Sequence, residues 1–185
     1  FCMRSESEYD VVAAGHASTS ISAALGLAVA RDLRQESHQV VAIIGDGSMT
    51  AGMAFEAMNQ AGHLGTKMIV ILNDNSMSIS PSVGALTKYL EALMAGRHYA
   101  KLKDDIKKML HKIPGIGDPM LEVAKGLEEG VRQVFTPGTL FEELGFRYVG
   151  PVNGHSVPAL LVALAEAKAI DGPVLLHAIT QQGQG

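Results

Sequence analysis

The sequence is poor in several features that would mark a protein class. It has one cysteine, Cys2, and no tryptophan, so no disulfide can form within the chain and a disulfide-rich secreted scaffold is excluded. The 15 lysines and arginines are outnumbered by 19 aspartates and glutamates, and this balance gives no basic field for nucleic acid or a membrane surface. No apolar run approaches the roughly 18 residues of a membrane helix, since the stretch 21–30 contains a glycine and is followed by Arg31 and Asp32.

The amino terminus lacks the apolar segment of a signal peptide, because Arg4, Glu6, Glu8 and Asp10 interrupt it. A single cysteine suits a reducing compartment, and we expect a cytoplasmic protein, bacterial rather than plastid. The chain starts at Phe1 rather than methionine, so we expect a domain truncated at both ends from a longer product. With 47% apolar and 18% charged residues, the 185 residues suffice for one globular domain.

What the sequence does contain is a strand, helix, strand pattern between residues 40 and 81. The runs 40–44 and 68–72 are short, apolar and rich in β-branched residues, and polar or glycine residues follow each of them. This is typical of buried parallel strands. We expect a helix between them that starts near Thr50 and ends at Gly62. Its apolar positions recur at helical spacing at Met53, Phe55, Ala57, Met58 and Ala61.

Polar residues follow both predicted strands. The sequence Gly-Asp-Gly at 45–47 follows the first strand, and Asn-Asp-Asn at 73–75 follows the second. The carboxyl ends of parallel strands open on one edge of the sheet, where open α/β folds bind ligands. Neighbouring strands lie about 4.8 Å apart, so oxygens of Asp46 and Asn75 could reach one Mg²⁺ ion, which completes its shell with water and phosphate oxygens. The pattern predicts a diphosphate held through a metal.

Two other interpretations of these residues are less favoured than a metal-held diphosphate. A nicotinamide-type dinucleotide loop also starts with Gly-x-Gly, but its next glycine should stand at position 50 and here stands at 52. Asp46 would also repel a pyrophosphate unless a cation lay between them. Alternatively both sequences are plain turns, because glycine, asparagine and aspartate dominate turns in general.

The remaining sequence alternates predicted helices and strands. Helices are expected at about 20–34, 141–144 and 156–170, strands at 146–150 and 173–179, and a loop at 151–155. Helices are also expected at 82–94, in the basic stretch 97–112 and at 119–135, and the segment of about 97–119 is expected to be flexible. We therefore predict an α/β fold with a mostly parallel sheet and helices on both faces.

Several longer strings resemble one enzyme family. The spacing of GDG and NDN resembles the thiamine diphosphate signature of transketolase-like enzymes, and five strings resemble the 1-deoxy-D-xylulose-5-phosphate synthases over nearly the whole chain. The strings are GHASTSISAALG, GDGSMTAGMAFEAMNQAG, LNDNSMSIS, TPGTLFEELGF and GPVNGH. The resemblance implies a single thiamine diphosphate-binding domain over 1–185, of transketolase-like fold. It implies a homodimeric transferase that condenses pyruvate with glyceraldehyde 3-phosphate, releasing carbon dioxide, in isoprenoid and thiamine biosynthesis.

The resemblance also implies roles for individual residues. Asp46, Asn75 and the carbonyl of Met77 would hold Mg²⁺. Gly15, His16, Ala17, Gly47, Ser48 and Asn75 would line the diphosphate of thiamine diphosphate. The family's activating glutamate lies in another domain, so no catalytic residue is expected here and the isolated chain should be inactive and at best a weak cofactor binder. His155 is a minor candidate for substrate contact, and His16 could equally be a turn residue.

The sequence departs from the family at several positions. The family has serine where Ala17 stands, aspartate where Asn153 stands, and basic residues near Gln182 and Gln184. Two amides cannot supply positive charge to a phosphate group. Another thiamine diphosphate transferase, such as a transketolase, and a non-catalytic remnant therefore stay open as alternatives.

Overall fold

The structure is a computed structural model, and it describes residues 3–77, 83–91 and 139–184. The chain divides into two compact units, Phe1–Thr87 with Leu140–Gly185, and Lys88–Thr139. Residues 85–91 of the helix predicted at 82–94 are helical. The predicted basic helix at 97–112, the predicted flexible segment at about 97–119 and the predicted helix at 119–135 lie outside the described residues. Within the described residues, no helix is both long and apolar enough to cross a membrane.

Helices separate the successive strands of the described chain. The helices are α1 (Ser20–Leu33), α2 (Asp46–Met49), α3 (Gly52–Leu64), α4 (Thr139–Glu143) and α5 (Val157–Ala169). The strands are β1 (Val41–Gly45), β2 (Met68–Asp74), β3 (Arg147–Asn153) and β4 (Pro173–Ile179).

The four strands form one parallel sheet in the order β1-β2-β4-β3. The central strands β2 and β4 are buried along nearly their whole length, which is why their sequences are continuous apolar runs rather than alternating ones. The predicted parallel α/β architecture is confirmed, and the strand predicted at 173–179 has the predicted bounds.

Helices cover both faces of this sheet. On one face, α5 packs on β3 and β4, and Ala163 and Ala167 of the helix join a core cluster with Ile69, Val174 and Leu176. On the other face, α1 packs on β1 and β2, where Ala42 and Ile44 are buried while Val41 and Ile43 are exposed. The predicted placement of helices on both faces is therefore confirmed.

The helix between β1 and β2 differs from the prediction at both ends. Thr50 does not cap α3; it closes the separate short helix α2, and its hydroxyl donates to the carbonyl of Gly47 at 2.7 Å. Gly62 does not end α3, which continues to Leu64 and stops at Gly65 with φ +62°. Of these two glycines, Gly65 adopts the left-handed conformation of a helix end, and Gly62 serves instead as a point of close packing.

Strand β3 is longer than predicted. Residues 151–153, predicted as part of a loop, continue the strand beyond a register shift between Val149 and Val152. Gly150, with φ +124°, and Pro151 stand at this shift. Proline is tolerated in a strand at such an irregularity, because it has no N–H to donate to the ladder.

Candidate functional site

The polar residues after β1 and β2 share one edge of the sheet. Gly45, the last residue of β1, is the register partner of Asn73 in β2. Asp46 follows Gly45 directly and its side chain is buried, with only 4% exposed. Asn75 follows two residues after Asn73. The structure thus brings Asp46 and Asn75 to the carboxyl ends of adjacent strands, the arrangement expected from the sequence.

The turn at residues 15–18 meets the chain that follows Asp46. The hydroxyl of Ser18 donates to the carbonyl of Ser48 at 2.7 Å. Ser18 has φ +71°, a left-handed conformation that turns the chain sharply before α1. The hydroxyl of Thr19 donates to the carbonyl of His16 at 3.1 Å and closes the same turn. Two stretches predicted to contact the cofactor are therefore joined by a hydrogen bond.

That contact joins the two groups of predicted cofactor residues. One group is the turn of Gly15, His16 and Ala17, and the other is the pair Gly47 and Ser48, of which Gly47 also accepts the hydroxyl of Thr50. Gly15 has open space around it, since an added Cβ would meet nothing within 4 Å.

The three side chains at 73–75 have three different partners. Oδ1 of Asn73 accepts a hydrogen bond from the hydroxyl of Thr180 at 2.7 Å. Oδ1 of Asn75 accepts from the backbone N–H of Met77 at 2.9 Å, which closes a turn that places the Asn75 side chain and the Met77 backbone side by side. An amide oxygen has two lone pairs, so Oδ1 of Asn75 keeps capacity for a second partner.

Asp74 belongs to a buried network that the sequence analysis missed. Oδ2 of Asp74 lies 2.9 Å from Nε2 of His177 in β4, and Nδ1 of His177 lies 2.8 Å from the hydroxyl of Tyr148 in β3. Asp74 and His177 are buried and Tyr148 is half-buried; we call these three residues the buried triad. One residue of the sequence pointed to this network: His177 is the single polar residue of the strand PVLLHAI. A histidine that is fully buried among apolar residues needs polar partners.

The environment of Asp74 shifts its ionisation. Burial alone raises the pKa of the Asp74 carboxyl, but the hydrogen bonds from His177 and from the backbone and side chain of Ser76, with the charge of His177, outweigh it and leave the pKa lowered. The carboxylate form is therefore favoured. One oxygen of this carboxylate contacts the core and the other contacts the loop, since Oδ1 accepts from the N–H of Ser76 at 3.0 Å.

The loops after β3 and β4 are tied to each other. Nε2 of His155 accepts a hydrogen bond from the backbone N–H of Gln181 at 2.8 Å, and Oδ1 of Asn153 accepts from the N–H of His155 at 2.9 Å. Asn153 thus acts in a structural turn. Gln182 and Gln184 are exposed.

The donors at this edge suit a small hard cation. Asp46 offers carboxylate oxygens, Asn75 an amide oxygen and Met77 a backbone carbonyl, which are the ligand types that Mg²⁺ prefers. In the described part of the chain, no three His, Cys, Asp or Glu side chains group closely enough to hold a metal. A cation bound here would therefore depend on the single carboxylate of Asp46, on the neutral oxygens of Asn75 and Met77, and on oxygens from a ligand. The residues present fit a metal-bridged diphosphate.

Comparisons with known proteins give a consistent result. Residues 1–180 match the family model described as 1-deoxy-D-xylulose-5-phosphate synthase. Proteins of that name from Desulforudis audaxviator and, as synthase 1, from Geobacter sulfurreducens are each 51% identical over all 185 residues, which make up 29% of their length. The Syntrophomonas wolfei protein is 53% identical over 180 residues, 28% of its length. The chain thus spans less than a third of these relatives.

A solved structure shares the fold. It comes from Mycobacterium smegmatis, is described as a candidate thiamin diphosphate-dependent enzyme, and aligns over 90% of this chain and 23% of its own with a TM-score of 0.52 and 20% identity. This likeness confirms the predicted fold class.

Proposed function

The chain belongs to the 1-deoxy-D-xylulose-5-phosphate synthase family, and from that premise we propose that it binds the diphosphate of thiamine diphosphate through Mg²⁺. The observation that carries the proposal is the pairing of Gly45 with Asn73 on adjacent parallel strands. This pairing supports the proposal because it brings the buried Asp46 and the amide-bearing Asn75 to one edge of the sheet, where both side chains offer hard oxygen donors.

Each predicted residue has a role in this site. Asp46, the amide oxygen of Asn75 and the carbonyl of Met77 would hold Mg²⁺, which cancels the repulsion between Asp46 and a diphosphate. The backbone at Gly47 and Ser48, and the turn of Gly15, His16 and Ala17, would border the diphosphate. When bound, thiamine diphosphate supplies the carbanion chemistry, while the protein supplies position and electrostatics.

The complete enzyme would be a transferase. We propose that it condenses pyruvate with glyceraldehyde 3-phosphate and releases carbon dioxide, using the remaining domains of the same protein and a second subunit. No side chain of the present chain is assigned a proton-transfer step. Its task is to anchor the cofactor, and the hydrogen bond between Ser18 and Ser48 keeps the two cofactor-contacting stretches in a fixed relation.

The test is a titration of the chain with thiamine diphosphate in the presence and absence of Mg²⁺, followed by calorimetry and by NMR chemical shifts. We expect saturable binding of thiamine diphosphate only in the presence of Mg²⁺. Asp46→Asn should abolish it, because the change removes the single carboxylate of the site. Glu166→Gln makes the same chemical change at an exposed position on α5 and should bind normally.

Two results would contradict the proposal. One is binding of equal strength without a divalent cation, since the diphosphate would then be held by the protein alone. The other is normal binding by Asp46→Asn, which would place the metal elsewhere. Circular dichroism of each variant separates a lost ligand from a lost fold.

A further inference from the structure

Burying the triad within a sheet opposes folding through the desolvation of its polar groups. Its members stand among fully buried apolar residues: Leu72 is the register partner of His177, and Leu175 is the register partner of Tyr148. Desolvating a carboxylate and an imidazole opposes folding, and well-packed apolar side chains often replace a buried pair without loss of stability. The stability of the sheet alone therefore does not account for the triad.

In the neutral form of His177, the hydrogen-bond roles within the triad follow from its chemistry. A carboxylate only accepts hydrogen bonds, so in a neutral imidazole Nε2 of His177 carries the proton that faces Asp74. Nδ1 then has a free lone pair and accepts from the hydroxyl of Tyr148. The phenol ring of Tyr148 is itself stacked on Phe141, with ring centroids 6.2 Å apart and an interplanar angle of 4°, so the end of the triad distant from Asp74 is anchored in the core.

At its other end the triad reaches the loop at 75–77. The same Asp74 carboxylate that contacts His177 through Oδ2 accepts the N–H of Ser76 through Oδ1. Ser76 has φ +57°, a conformation that costs a non-glycine residue energy and persists only where the surroundings enforce it. The backbone of Asp74 is held as well, since its carbonyl accepts the N–H of Thr180 at 2.8 Å.

Asn75 lies between these fixed points. Its neighbours Asp74 and Ser76 are joined by the carboxylate, and its own Oδ1 accepts from Met77. Two consecutive turns of this kind leave the chain little freedom, so the direction of the Asn75 amide follows from the orientation of the Asp74 carboxylate. That orientation is set in turn by Nε2 of His177.

We propose that His177, held by Tyr148, is a positioning residue for the loop at 75–77. Through Asp74 it orients Oδ1 of Asn75 and the carbonyl of Met77 toward the cation. This inference rests on the function proposed above. Partners that orient metal ligands through such contacts typically contribute about 10- to 100-fold to metal affinity, and a loop built from two neutral oxygens depends on orientation more than one built from several carboxylates.

Three variants of the 185-residue chain test the inference. His177→Leu removes both hydrogen bonds. His177→Gln is the conservative variant, because its terminal amide N–H can still donate to Asp74. Val174→Ala is the matched control, since Val174 is fully buried in the same strand but belongs to the core cluster on the opposite face.

Two readouts separate this inference from the proposed function. The first needs no ligand: hydrogen exchange of the Ser76 and Met77 amides. We expect His177→Leu to speed exchange of both by at least about tenfold relative to Val174→Ala, with partial protection restored in His177→Gln. The second is a titration with Mg²⁺ in the presence of millimolar thiamine diphosphate, where His177→Leu should bind about 10-fold more weakly and Val174→Ala within about twofold of the parent chain.

The outcomes are distinct. If the parent chain binds and His177→Leu binds equally well, the inference is overturned while the proposed function stands. If amide exchange at Ser76 is unchanged in His177→Leu, the inference is overturned whatever the titration shows. If the parent chain itself binds neither Mg²⁺ nor cofactor, the proposed function fails and the inference fails with it. A loss of affinity in Val174→Ala equal to that in His177→Leu would reduce the effect to general destabilisation and also overturn it.

Discussion

Gly62 in α3 packs directly against the backbone of Gly145, which follows α4. The Cα of Gly62 would lie 3.0 Å from a Cβ added at Gly145, and a Cβ added at Gly62 would overlap the carbonyl oxygen of Leu144. Both contacting groups are backbone, so neither can move aside as a flexible side chain would. The short helix α4 reaches α3 only because neither residue has a side chain.

The first prediction concerns this contact. Gly62→Ala should lower the free energy of unfolding by about 2–4 kcal/mol, because overpacking against backbone forces the two segments apart. This loss should outweigh the gain from alanine, which stabilises a helix better than glycine does. Gly26→Ala, in the exposed middle of α1 with open space around its Cα, should instead raise it by about 0.5–1 kcal/mol. Urea unfolding measures both, and equal effects of the same sign would contradict the packing argument.

A second prediction follows from the lowered pKa of Asp74. The carboxyl has a lower pKa when folded than its ordinary value of 3.8, so its contribution is complete above that value and disappears as the pH falls through the folded pKa. Without Mg²⁺, the free energy of unfolding should therefore decrease as the pH is lowered below about 4.

The variant Asp74→Asn tests the origin of this acid sensitivity. It should be less stable than the parent chain at pH 7 and lose less stability between pH 5 and pH 3, because its amide does not titrate. Asp171→Asn, at a position 98% exposed, should retain the parent's pH dependence. Unfolding curves at several pH values decide the matter, and parallel acid profiles for the parent and Asp74→Asn would refute this assignment.

A third prediction concerns Ser18. Ser18→Ala should lower stability by about 1–2 kcal/mol, because it removes the hydrogen bond to Ser48 and leaves alanine at φ +71°. Ser18→Gly removes the same hydrogen bond but tolerates the backbone conformation, so it should be the milder change by about 1 kcal/mol. If the alanine variant proved the more stable of the two, the left-handed conformation would not be a source of strain.

A fourth prediction concerns activity. The isolated 185-residue chain should show no turnover of pyruvate and glyceraldehyde 3-phosphate, because none of its residues is assigned a proton-transfer role and its relatives are more than three times longer. An assay for carbon dioxide release from pyruvate, with Mg²⁺ and thiamine diphosphate, checks this. Turnover that disappears in Asp46→Asn would show that the chain is catalytically sufficient.

The sequence predicted those parts of the molecule that depend on local patterning. The strand at 173–179 and the helix at 20–34 carry strong apolar signals, and both were found within one residue of the predicted bounds. The shared edge of Asp46 and Asn75 follows from two neighbouring parallel strands. By contrast, the roles of Gly62 and Gly65 depend on which of them meets α4, a contact far away in sequence that no local pattern contains.

The contacts among the three residues of the buried triad were beyond prediction for the same reason. Asp74, Tyr148 and His177 are widely separated in sequence, and their contact depends on the order of the strands. Each residue has an ordinary local explanation: an aspartate in a turn, an aromatic residue in a strand and a single histidine among apolar residues. Only the position of β4 between β2 and β3 brings them together.

That strand order also has a consequence for synthesis of the chain. Among the four described strands, β4 is the last to leave the ribosome, yet it is the strand with which β3 pairs and the one that joins β3 to β2. Until Ile179 has left the exit tunnel, β3 has no partner among the described strands, and β2 pairs with β1 alone. A nascent chain stalled before that point would expose the unpaired edges of β2 and β3, which are prone to aggregation. The pairing of β4 covers both edges at once.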